Sequence, residues 1–100
     1  MDHTDNLSLQ KNSSKNRFEI TIGGMTAFVD YIEMGKKIIY THTEVPIALE
    51  GKGLGSRLAR GVMEYAREQN LQVIPLCPFI GVWLRKHSEY QDLLAKGVSL

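Results

Sequence analysis

Polar and apolar residues alternate from Arg17 to Ile22, placing Phe18, Ile20 and Ile22 on one face of a strand. Gly23-Gly24 follows as a two-residue hairpin signal. The return segment MTAFVDYIE (residues 25–33) is rich in aromatic and β-branched residues, as strands are. Met34-Gly35-Lys36 predicts a second turn and KIIYTHTEV (residues 37–45) a third strand, so the first half reads as an antiparallel three-stranded meander. Pro46 withdraws a ladder donor and ends that strand.

Beyond Pro46 the period changes. Leu54, Leu58, Val62, Tyr65 and Ala66 form a helical stripe, with Arg60, Glu64, Arg67 and Glu68 on the solvated side and Asn70 at the end. LQVIPL (residues 71–76) reads as a short buried strand, so strand, helix and strand make a parallel crossover. A short helix is expected from Pro78, since proline suits a first helical position. Ser88-x-x-Gln91 matches a capping box and predicts a last short helix. The fold class expected is α/β (α+β).

Composition narrows the function. At 100 residues the chain makes one small domain, taken here as residues 17–100 after a disordered leader over 1–16. The leader has no apolar centre of a secretory signal and no apolar run approaches a membrane span, so a cytoplasmic protein without a membrane partner is expected. The single cysteine, Cys77, fits a reducing compartment and excludes a paired-cysteine zinc site; no metal is expected. A net charge of +1 with interleaved acids and bases gives no footprint for nucleic acid, and Lys11 to Arg17 reads as a solvated tail.

The chemistry gathers in Glu50-Gly51-Lys52-Gly53-Leu54-Gly55-Ser56-Arg57, where a strand feeds a helix. The first amides of a helix have no internal partner, and the helix dipole adds positive charge there. Glycines admit a phosphate without a Cβ in the way. Such glycines can also serve only a tight turn. Three at alternate positions, with Lys52 and Arg57 among them, favour an anion site on Glu50, Gly51, Lys52, Gly53, Leu54, Gly55, Ser56 and Arg57, with Val45 as the further cofactor-binding position. The spacing is not that of a Walker loop, and a Rossmann loop would follow the first strand of a parallel sheet.

The order of antiparallel strands, then a [QR]-x-x-G-x-[GA] motif opening a long amphipathic helix, then a strand, resembles the GNAT acyltransferase superfamily. Within it the chain is similar to short single-domain members with His42-Thr43-Glu44-Val45 before the loop and Pro75-Leu76-Cys77-Pro78-Phe79 after the helix, then Trp83, His87 and Glu89-Tyr90. The resemblance covers Arg17 to Leu94. It implies a minimal GNAT fold, acetyl-coenzyme A (acetyl-CoA) as cosubstrate with its pyrophosphate on the amides from Gly51 to Ser56, and an amine acceptor of unknown identity, small molecule or protein. Two departures stand out. Glu50 replaces the usual Gln or Arg and is expected to point to solvent. The helical segment that larger relatives place after their first strand is missing, so the acceptor site is open or shaped by a large partner.

Acetyl transfer to an amine needs a base, a polarised carbonyl and a stabilised leaving thiolate. Alternation puts Tyr40, His42 and Glu44 on one side, and a His with a carboxylate two residues on can take a proton; the pair can also be plain surface decoration. Carbonyl polarisation falls to a backbone amide near Val45. Cys77, at the end of the strand after the helix, is a transient acyl acceptor, a proton donor or simply a small buried hydrophobe. Tyr90 is the candidate counterpart of the acidic tyrosine of related enzymes. Phe79 and Trp83 are expected to anchor the last helix, His3 and His87 to be exposed, and Gly61 to mark close packing to the sheet or cofactor. A noncatalytic acyl-CoA-binding or sensing module is the alternative to an N-acetyltransferase.

Overall fold

The computed structural model describes residues 9–100. Five strands, β1 (Gln10–Asn12), β2 (Arg17–Ile22), β3 (Met25–Met34), β4 (Lys37–Glu44) and β5 (Gln72–Pro75), lie in that order in one sheet. Pairing is antiparallel from β1 to β4 and parallel between β4 and β5. Helix α1 (Leu54–Glu68) makes the crossover, and α2 (Pro78–Arg85) follows β5. The expected α+β architecture is the one found, with a fourth antiparallel strand added at the edge.

That added strand corrects the reading of residues 1–16 as leader. Residues 1–8 lie outside the described residues, but Gln10–Asn12 pair with Arg17–Glu19 of β2. Composition missed β1 because its ties are single side chains. The Lys11 ammonium donates to the Tyr65 hydroxyl (2.7 Å) and to Glu33 (2.9 Å), and these two bonds, Tyr65 first, hold its pKa well above the ordinary lysine value. Leu9 covers Gly61, where an added Cβ would lie 3.0 Å from the leucine Cδ2. The close packing at Gly61, expected against the sheet or a cofactor, is against Leu9 instead. Lys11→Ala is expected to lower stability by only about 0.5–1 kcal/mol, because the pair is partly exposed. Amide exchange should show β1 opening ahead of the rest of the sheet.

One face of the sheet is covered. Phe18, Ile20, Val29, Tyr31, Ile38, Tyr40 and Val73 are buried with Leu58, Ala59, Val62, Met63 and Ala66 of α1. The Tyr40 hydroxyl donates to the Val62 carbonyl in that core, and burial drives its pKa far up. α1 ends as expected, with Asn70 in the left-handed region at φ 56°. The C-terminal turn departs from expectation. Ser88–Leu93 is a 3-10 helix whose N-cap is His87, with no side-chain cap. Gln91 donates instead to the Leu84 carbonyl, 2.8 Å away, so the capping box does not form.

A bulge in β4 sets up the site. Tyr31 of β3 faces Tyr40, but its neighbour Asp30 faces His42, which leaves Thr41 as an extra residue. A bulge shifts the alternation by one, so every later side chain changes face. Thr43 therefore lies opposite buried Val29, on the helix-covered face. His42 and Glu44 lie on the other face, opposite Asp30 and Phe28. This corrects the expectation that Tyr40, His42 and Glu44 share a side.

Candidate functional site

β4 ends at Glu44, and a 3-10 turn over Ile47–Leu49, pinned by buried Leu49, carries the chain to the glycine loop. Gly53 is the N-cap of α1 at φ 75°, a conformation that needs glycine or a strained residue. It has no side chain to cap the helix, and no other side chain does so. The first intrahelical bond runs from the Arg57 amide to the Gly53 carbonyl, leaving the amides of Leu54, Gly55 and Ser56 as free donors.

These donors open on a groove of about 570 Å³ between the loop, the end of β4 and α2. Thr43, Val45 and Leu49 form one wall, and Phe79 and Trp83 the other. The groove exists because β4 outruns β5. Their register ends with Tyr40 beside Pro75, and the last bond across is from the Cys77 amide to the Tyr40 carbonyl. Beyond it β4 continues to Glu44 with that edge open. α2 brings Trp83 against the loop, its indole N–H donating to Ser56 Oγ at 2.9 Å. Trp83 is buried, as an anchor of α2 should be. Phe79 is not an anchor. It is 42% exposed, and its ring sits where a side chain at residue 55 would be, 2.7 Å from the position of an added Cβ. A side chain at residue 55 would therefore have to push the Phe79 ring aside.

The expected loop residues divide between two clefts. Val45, Glu50, Gly51, Gly53, Leu54, Gly55 and Ser56 line the groove. Lys52 and Arg57 line a second cleft of about 550 Å³ across the loop, which shares Gly53 and Ser56 with the first. Glu50 is exposed at the rim.

The three candidate catalytic residues are likewise divided. Cys77, the N-cap of α2, is 3% exposed, and its Sγ lies 3.1 Å from Thr43 Oγ1 at the inner end of the groove. His42 and Glu44 approach each other to 3.4 Å on the opposite face, where the imidazole also meets the Phe28 ring at 6.1 Å between centroids. Both are more than half exposed. Tyr90 stands outside the groove. It donates to Glu64, accepts from Arg60, and has a raised pKa through burial first and the Glu64 bond second. His87 is stacked on Trp83 at 3.7 Å rather than exposed; His3 lies outside the described residues. Thr43, Leu49, Phe79 and Trp83 are the groove residues that sequence reasoning did not assign to the site. Thr43 needed the bulge to be seen, whereas Phe79 stood inside the Pro75–Phe79 motif.

Among the described residues no group of three His, Cys, Asp or Glu side chains could hold a metal, and no helix is long and apolar enough to cross a membrane.

Comparison with known proteins agrees with this geometry. The sequence pattern of the family described as GCN5-related N-acetyl-transferase matches residues 17–93. Protein NATD1 of Xenopus tropicalis is 27% identical over 90 residues, covering 87% of this chain and 83% of its own. Protein NATD1 of Danio rerio is 27% identical over 96 residues, covering 93% and 87%. The solution NMR structure of a GCN5-like protein from Staphylococcus aureus superposes with a TM-score of 0.70 at 33% identity, covering 94% of this chain and 92% of that one. With the uncapped glycine loop, the split between β4 and β5 and this match over most of its length, the chain belongs to the GCN5-related N-acetyltransferase family.

Proposed function

We propose that the protein transfers an acetyl group from acetyl-CoA to a primary amine. The observation that carries this reading is the set of free amides at Leu54, Gly55 and Ser56, facing a groove that runs to the Thr43–Cys77 contact. The fit is chemical. Free amides at a helix N-terminus suit a pyrophosphate, and the open edge of β4 offers backbone partners to the amides of a pantetheine arm. Bound acetyl-CoA supplies a thioester, which amines attack readily.

In this reading the amine approaches the split from the face that carries His42. The imidazole, oriented by Glu44, accepts the proton that the amine loses. The Thr43 hydroxyl, which lines the groove, passes a proton to the departing thiolate and takes one in turn from the Cys77 thiol held against it. β1 joins β2 through residues 13–16 alone, with no helix between them, so the acceptor side is open and admits a large acceptor as readily as a small amine.

Calorimetric titration with acetyl-CoA, followed by turnover assays over a panel of amines and lysine peptides, tests the proposal. Saturable binding with amine-dependent release of free thiol is expected. Binding without turnover on any amine would leave an acyl-CoA-binding module, and no binding would remove the reading altogether.

A further inference from the structure

The second cleft shares Gly53 and Ser56 with the groove and is otherwise separate from it. Among its eight lining residues are three cations, Lys52, Arg57 and Arg60, and no acid. Arg60 is shared with the Tyr90 hydroxyl at 3.1 Å and Glu89 at 3.9 Å. The side chains of Lys52 and Arg57 have no hydrogen-bond or ion-pair partner among the described residues. Three basic side chains elsewhere are paired, Lys11 with Glu33, Arg17 with Glu19 and Asp30, and Arg67 with Asp92; what sets Lys52 and Arg57 apart is that they share one cleft with Arg60. The rest of the cleft wall is apolar, formed by Leu9, Ile20 and Gly61. A cleft with unpaired cations at one side and an apolar floor suits an anion attached to a flat apolar body.

The position of the cleft says which anion. It meets the groove at Gly53 and Ser56, so the two hollows form one path over the start of α1. A ligand with its acyl arm in the groove and its pyrophosphate on the loop amides must send its remaining end away from Thr43. The acid at the junction, Glu50, belongs to the groove rim and not to the cleft.

We propose that this cleft is the binding site for the 3′-phosphate of the cofactor's adenosine end, read by Lys52 and Arg57 with Arg60 beside them, so that the protein distinguishes coenzyme A from its dephospho form. The inference rests on the groove being an acyl-CoA site. A phosphate monoester carries close to two charges near neutral pH, and charge-assisted bonds to guanidinium and ammonium groups are the strong kind. Because both side chains lie at the surface, the preference weakens as salt is added.

The test is calorimetric titration of the full chain with coenzyme A and with dephospho-coenzyme A, repeated on the double variant Lys52→Gln, Arg57→Gln. Coenzyme A should bind about ten-fold or more tightly than the dephospho form. In the double variant that ratio should collapse toward one, mainly through loss of coenzyme A affinity. A competition needing no variant accompanies it: adenosine 3′,5′-bisphosphate should displace coenzyme A at concentrations where ADP does not. Equal binding of the two coenzymes to the native chain overturns the 3′-phosphate site and leaves the pyrophosphate loop standing. An equal loss for both ligands in the variant also overturns it, by assigning the two cations to the pyrophosphate. No binding of either coenzyme to the native chain removes the groove reading and this inference with it.

Discussion

Gly53→Val is expected to reduce affinity for acetyl-CoA by about 100-fold or more while the protein stays folded. The residue sits at φ 75° as the N-cap of α1, and the space around it is open, so no clash opposes a side chain. The penalty comes from the backbone, where a β-branched residue held in the left-handed region costs about 1–3 kcal/mol. The loop can relieve that strain by turning, and turning redirects the amides of Leu54, Gly55 and Ser56. Losing two charge-assisted bonds to a pyrophosphate, each about 1.5–3 kcal/mol, supplies the expected fall in affinity. Gly55→Val reaches the same end by another route, through contact with the Phe79 ring. That ring is half free and can swing, so the loss should be smaller and should recover in a Gly55→Val, Phe79→Ala double variant. Calorimetry reads the affinities, and circular dichroism shows that the fold is kept. Undiminished binding by Gly53→Val would sink the claim that this loop holds the cofactor.

The second large effect is on turnover. Cys77→Ala should lower kcat by about 100-fold, the lower end of what a positioned acid or base contributes, with acetyl-CoA affinity changed by no more than a few-fold. The thiol lies against Thr43 and does not itself line the groove, which separates its effect on chemistry from any on binding. Thr43→Val keeps the shape and removes the hydroxyl through which that proton passes, so it should lower kcat by a comparable factor. His42→Ala tests the opposite face. Its side chain is 59% exposed, so stability should change by less than about 0.5 kcal/mol, and a fall in kcat would then report chemistry alone. Unchanged kcat in Cys77→Ala and His42→Ala together would strip both residues of catalytic roles.

How the candidate site was read from the sequence differs residue by residue. The glycine loop was legible because each part of its signal is local: a proline follows the strand, the glycines fall at alternate positions, and the helical stripe begins at Leu54. Cys77 beside the groove was legible from position, since the ends of strands in open sheets face ligands. His42 and Glu44 were recognised as a pair, and they do approach each other, but on the face away from the groove. The difference is one extra residue in β4. Nothing in YTHTE marks a bulge at Thr41, because the bulge arises from matching β3 to β4 after both strands have packed their buried residues against α1. β1 was missed for a related reason. Its residues are polar, and it is held by Leu9 over Gly61 and by Lys11 reaching Tyr65 across 54 positions of sequence.

By itself the sequence determined the order of the elements from β2 to α2, the face that α1 buries and the place where helix amides are left free. Those features follow from the periods of 2 and 3.6 residues and from backbone chemistry acting over a few positions. Only the tertiary structure decided which side chains meet. The bulge turned Thr43 instead of His42 toward Cys77, the parting of β4 from β5 opened the groove, and α2 laid Trp83 and Phe79 along its wall. Each of these depends on how far one element slides or tilts against another, which the packing of the shared core settles and no local pattern carries.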